Sequence, residues 1–247
     1  MSNWQAGLIH FCISVPVVVI AALTMVVVWF PPPLFQAAGG QHLILILAGV
    51  DVVIGPLLTL LVYQQGKRTL KFDLAVIGII QVGALLYGVH TIFMARPAYI
   101  VFAVNQFEVV TAADIPAEEQ LKAHLPEFRH SPAGRFRVVA ARLPESIEEQ
   151  QRILFAAFVG HDLSHFPQHY ISYDREMKLI AARAAPVAEL KKLNPGREQQ
   201  IERWIERNGR STETVRFLPV RAVKRDFTAL IDAQSGQLLD FALFTPW

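Results

Sequence analysis

Three long apolar runs near the start of the chain restrict its fold more than any other feature. Leu8–Phe30 is 23 residues without a charge, Leu43–Tyr63 is 21 residues with one, and Leu74–Met94 is 21 residues with none. A helix rises 1.5 Å per residue, so about 20 apolar residues cross the roughly 30 Å hydrocarbon layer. Backbone N–H and C=O groups find no water there, which leaves the helix as the available form for an isolated span. The runs therefore predict three transmembrane helices, over about 8–30, 43–63 and 74–94, in a membrane domain of residues 1–95. The first run is too long for the core of a signal peptide. Its flank, MSNWQAG, has no basic residue, so it reads as a retained helix.

Charge separates this part from the rest. Residues 1–95 hold three basic side chains (Lys67, Arg68, Lys71) and two acidic ones (Asp51, Asp73). Subtraction from the totals of 23 and 21 leaves 20 basic and 19 acidic residues for 96–247. That near balance argues against nucleic acid as a partner. The connector 64–73 carries all three cations, whereas 31–42 carries no charge apart from the titratable His42. Loops rich in Lys and Arg stay in the cytoplasm. The N-terminus is then cytoplasmic, and everything after Met94 lies outside; for a bacterial inner membrane, that is the periplasm. The lone Cys12 sits in the first run and allows no intrachain disulfide.

The second part reads as a soluble α+β domain, 96–247, with a mainly antiparallel sheet. Ala98–Val110 suggests two short strands about Asn105-Gln106, and Arg135–Arg142 a third. Ile147–Gly160 has apolar residues at helical spacing and a glycine to end it. A second helix is expected from an Asn194 cap and Pro195 in the first turn, through the stripe Ile201, Trp204 and Ile205, to Asn208-Gly209. VRFLPVRAV (215–223) and DFTALIDAQSGQLLDFALF (226–244) read as strands, the latter folded about Asp232–Gly236.

Within the membrane part, GVDVVIGPLL (49–58) is the unusual stretch. An aspartate in mid-membrane costs about 2.5–3.5 kcal/mol on insertion scales. Pro56 has no N–H for the carbonyl of Val52 in an α-helical ladder. At 1.5 Å per residue, Asp51 lies about 12 Å below the outer end of its run, and Tyr87 of the third run comes to similar depth. Gln81 lies lower and would face the stretch below Gly55-Pro56. These residues form a candidate polar station, either an internal tie of the bundle or a docking point for another protein's transmembrane helix.

In the second part, His161, His165 and His169 recur every four residues beside Asp162, which on one helix would suit a metal. Pro167 breaks such a helix, so no metal and no cofactor are expected. No GxSxG, SxxK, HExxH or GxxxxGK pattern occurs, and nothing commits the chain to catalysis.

The order of GVDVVIGPLLTLLVY (49–63), KRTLKFDLAVIGIIQ (67–81), YGVHTIFMARPAYIVF (87–102), GHDLSHFPQHY (160–170), FLPV (217–220), DFTALIDAQSGQLLDF (226–241) and the terminal Pro246-Trp247 resembles the type IV pilin accessory protein family. The likeness covers most of the chain. It implies Asp51, Gly55, Pro56, Lys71, Asp73, Gln81, Arg96, Pro97, Asp162, Pro167 and Tyr170 as shared positions, without the three histidines. It also implies a non-enzymatic inner-membrane helper whose partners are the major pilin and the bilayer. Competing readings are a membrane-anchored sensor with a ligand-binding periplasmic domain, and a metal-dependent membrane enzyme.

Overall fold

The computed structural model describes residues 2–247. The chain forms two compact units, one of residues up to Phe35 with Gly39–Ala95, the other of Gln36–Ala38 with Arg96–Trp247.

The first unit contains three helices long and apolar enough to cross a membrane: α1 (Asn3–Trp29), α2 (Gly40–Val62) and α3 (Leu70–Met94). α1 begins five residues before its apolar run because Ser2 caps it. The Ser2 hydroxyl accepts from the Gln5 N–H, and the Gln5 side chain accepts from the Ser2 N–H. Two helices contain π turns, Met25–Trp29 at the end of α1 and Gly49–Ile54 in the middle of α2. α3 is α-helical throughout. Leu8 and Ile20 on α1, Leu61 on α2 and Ile79 and Leu86 on α3 are all more than 60 % exposed. Such a continuous apolar exterior suits acyl chains and not water. Between helices the packing is close. A Cβ on Gly7 of α1 would lie 3.4 Å from the Pro56 carbonyl of α2, and the Trp29 and Phe93 rings meet edge to face at 5.3 Å.

The second unit is built on one mixed, mostly antiparallel sheet. Its strands are β1 (Pro97–Ala103), β2 (Gln106–Thr111), β3 (Arg137–Ala141), β4 (Tyr170–Ser172), β5 (Ala185–Pro186), β6 (Val215–Arg221), β7 (Phe227–Asp232) and β8 (Leu238–Ala242). The order is β4-β3-β1-β2-β6-β7-β8, with β5 also paired to β6. β1/β3 and β2/β6 are the parallel pairs. β1 is buried on both faces, as its run of apolar residues dictates. β1 and β2 are joined through Val104 and Asn105. The Asn105 N–H donates to the Ala103 carbonyl at 2.7 Å and Val104 takes φ 61°, a strained conformation for a β-branched residue.

Besides one five-residue helix, Ala117–Leu121, and short 3₁₀ turns, the unit holds helices α4 (Ile147–Ala157), α5 (Met177–Arg183), α6 (Val187–Leu193) and α7 (Glu198–Arg207). Gly160 follows α4 with φ +91°, and the His161 N–H reaches back to the Ala156 carbonyl, a left-handed stop that glycine favours. α7 corrects the expected boundary. It starts at Glu198, and Asn194 is not its cap. Asn194 is instead buried, donating to the Leu190 and Thr245 carbonyls and accepting from the Thr245 N–H. A satisfied amide holding the C-terminal segment outweighs the capping propensity that the sequence advertises. The α7 stripe Ile201, Trp204 and Ile205 is buried as its spacing requires, together with Phe217, Leu230 and Phe244.

Candidate functional site

Asp51 sits inside the π turn of α2 and is 6 % exposed. In a π turn each N–H reaches five residues back, and the Gly55 N–H indeed donates to the Val50 carbonyl. The next donor in that ladder is residue 56, a proline. The carbonyl left without its partner is therefore that of Asp51, not of Val52, which corrects the α-helical expectation. Gln81 of α3 supplies the replacement, its Nε2 lying 3.5 Å from the Asp51 carbonyl oxygen. Gly55 makes this approach possible, since a Cβ there would stand 1.6 Å from Gln81 Nε2.

Tyr87 is not part of this arrangement. It is 74 % exposed and does not line the pocket beside Asp51. Depth alone suggested it, but residue 87 is six positions beyond Gln81 on an unbroken helix. At 100° per residue it faces about 120° away. Two residues absent from the sequence argument take its place. His10 and Ser14 of α1 lie one turn apart and share a face. They line a pocket of ≈ 160 Å³ together with Ile13, Asp51, Gly78, Gln81 and Val82. His10 Nδ1 is also 2.6 Å from the Thr59 hydroxyl of α2. The rim residues Ile13 and Val82 are exposed. Asp51 Oδ2 and Gln81 Oε1 are buried and have no hydrogen-bond partner. A buried acceptor left so costs about 1–3 kcal/mol.

A second polar cluster lies in the other unit. Asp162 opens a short 3₁₀ turn, Leu163–His165, by accepting from the Ser164 N–H at 3.1 Å. The Ser164 hydroxyl contacts Asp162 Oδ1 at 2.6 Å, and it also hydrogen-bonds Glu108 of β2. His165 is buried, with Nδ1 3.6 Å from Asp162 Oδ1. Burial pushes the Glu108 carboxyl up, and the neighbouring Asp162 adds to this. Burial also opposes the Asp162 charge, but contacts from His165, Ser164 and Glu108 outweigh it and hold that carboxyl below its ordinary range. His165 is raised: its burial acts downward, and the hydrogen bond to Asp162 and the charge of Glu108 overcome it. His169 is engaged elsewhere, 3.2 Å from Glu149. The equal spacing of the three histidines thus does not bring them to one point.

Comparison with known proteins places the chain. The family model described as fimbrial assembly protein FimB matches residues 1–39. The fimbrial assembly protein of serogroup I of Dichelobacter nodosus is 32 % identical over 215 residues, 86 % of this chain and 83 % of the relative. The chain belongs to the fimbrial assembly protein family. The serogroup E1 protein of the same organism gives the same identity and coverage, and that of serogroups C1 and C2 is 34 % identical over 45 % of this chain and 86 % of its own length. No solved structure matches.

The segment that matches the fimbrial assembly family model includes His10, Ile13 and Ser14, the α1 wall of the Asp51 pocket. Asp73, Arg96 and Tyr170 among the remaining motif residues have local structural partners. Asp73, in the first turn of α3, pairs with Lys67 at 2.8 Å and accepts from Thr69, while Lys71 is exposed. Arg96 is buried and donates to the Pro132 carbonyl, and Pro97 starts β1. Pro167 opens a second 3₁₀ turn. Tyr170 is buried against Tyr99 and Phe128 and donates to the Ser164 carbonyl.

Proposed function

We propose that the protein is a non-enzymatic accessory factor of type IV pilus assembly that binds the major pilin in the inner membrane before fibre assembly. The relatives are named fimbrial assembly proteins, which supports the process. One observation supports the mode of contact. Asp51 presents a buried, unpartnered carboxyl oxygen beside a small, mostly apolar pocket that His10, Ser14 and Gln81 also line, with an exposed apolar rim. A bundle tied together by Asp51 alone would have used that oxygen. The resemblance supplies the partner, since type IV pilins carry a glutamate near the start of their membrane helix. Two carboxyl groups sharing one proton attract, where two carboxylates repel, so the pocket accepts a partner's carboxyl. The three cations of residues 64–73 favour a cytoplasmic N-terminus and a periplasmic second unit, the side on which a pilin head waits.

Photocrosslinkers at Ile13 or Val82 test this while leaving Asp51 intact. Each should trap pilin in cells, and a probe at the lipid-facing Ile79 should not. Equal trapping from all three positions, or none from the rim, overturns the reading.

A further inference from the structure

We propose that Glu108, Asp162 and His165 form a binding site for one divalent transition-metal ion in the second unit, independent of how the membrane helices act. One carboxylate oxygen from each acid and one ring nitrogen of His165 lie within 4.8 Å of one another. Ligands bound to zinc at about 2.0–2.2 Å stand at most about 4.4 Å apart. Small side-chain adjustments bring all three onto one ion.

The donor set selects the class of ion. One imidazole and two carboxylates suit zinc, manganese or iron, and they offer calcium too few oxygens. Hydrogen bonding points to the same three residues. Two carboxylates converge in a half-buried place, and the Ser164 hydroxyl between them carries a single hydrogen. That hydrogen cannot serve both acids and His165 Nδ1, 3.2 Å away. The nearest guanidinium, Arg221, reaches only the far oxygen of Asp162, at 3.9 Å. A metal ion would take the place of the protons that His165 and the two acids hold among them, which binding releases.

The setting also fits. Glu108 and Asp162 line a cavity of ≈ 600 Å³ bounded by the β1–β2 turn and α4, which gives an ion an entry path and leaves coordination positions open. The ligands stand on firm supports. Glu108 is on a strand paired on both sides. The turn bearing Asp162 and His165 is pinned by the Ser164 N–H and by the Tyr170 hydroxyl. Ligands held this way need little ordering on binding. The ion would clip the segment before β4 onto β2.

The test uses the full chain in detergent, purified without a histidine tag, stripped with chelator and titrated separately with Zn²⁺, Mn²⁺ and Mg²⁺. Zn²⁺ and Mn²⁺ should each bind at one equivalent, zinc more tightly, and raise the thermal midpoint; Mg²⁺ should not. E108Q and H165Q should each weaken zinc binding by about tenfold or more, while H169Q binds as the wild type does. A readout without mutation is the spin-echo modulation of bound Mn²⁺, which should show one nitrogen nucleus. Binding below about 0.2 equivalents, unchanged affinity in both ligand variants, or no coupled nitrogen overturns the site.

Discussion

At the residue scale, Asp51 and Gly55 separate the roles open to the polar station. Asp51→Asn keeps a hydrogen-bonding side chain and Asp51→Leu removes it. If the carboxyl serves a partner, both variants should accumulate as stable protein, and surface pili should fall in both, more steeply in the leucine variant. Immunoblots and pilus counts read the two effects separately. Gly55→Ala drives a Cβ into Gln81, so Gln81 must leave and the Asp51 carbonyl loses its donor. The expected loss is about 1–3 kcal/mol. It should largely vanish in a Gln81→Ala background, which a double-mutant cycle of unfolding measurements detects. Gly49→Ala is the control, since nothing lies within 4 Å of a Cβ there. Asp51, Gly55, Pro56 and Gln81 stand out in the sequence because charge, proline and amide are each costly in hydrocarbon. The pairing of Asp51 with Gln81 and not Tyr87 was not legible there, because depth follows from counting residues while facing depends on a turn whose register the sequence does not announce. His10 and Ser14 escaped notice because neither interrupts an apolar run.

At the scale of elements, α4 and the segment that follows it are tied by charge. Hydrogen bonds from Arg152, and then from Gln168 and His169, hold the Glu149 carboxyl down to about 2. The folded value lies below the ordinary 4.5, so the stabilisation is fully present above about pH 4.5. It is lost as pH falls toward 2. The thermal midpoint should drop across that window, and Glu149→Gln should flatten the drop; an identical profile in the variant removes the link. Gly236, in the β7–β8 turn, has φ +77°, and a Cβ there would lie 1.9 Å from the Met177 carbonyl. Gly236→Ala should therefore destabilise the unit by more than the roughly 1 kcal/mol of a simple left-handed penalty, read by denaturant unfolding. Strands and helices of this unit were largely legible from period and turn chemistry. Asn194 misled because a good capping residue is also a good buried bridge. Glu108 and Asp162, 54 positions apart, meet only through the sheet, and spacing drew attention to three histidines instead.

At the scale of the whole molecule, the three apolar helices and the position of the basic loop predict the topology. Alkaline phosphatase fused after Trp247 should be active, and a fusion at Lys71 inactive. The reverse pattern would invert the orientation and remove the pilin head as a partner on the same side. Deleting the gene should lower surface pili without stopping export of unrelated proteins. That outcome separates an assembly factor from a general component of secretion.

The π turn of α2 also makes a forecast about insertions and deletions. Removing one residue from a spanning helix ordinarily rotates everything beyond it by about 100°. α2 already stores one surplus residue in Gly49–Ile54. Deleting the exposed Val53 should let the turn relax to ordinary α register with the flanking faces nearly unmoved, so the helix should still insert and pack. In that register Pro56 stands four residues after Asp51, so the orphaned carbonyl is still Asp51's and Gln81 keeps its acceptor. A chain shortened there should be well made and keep its polar station, whereas the same deletion in the uniform helix α3 should misface everything beyond it.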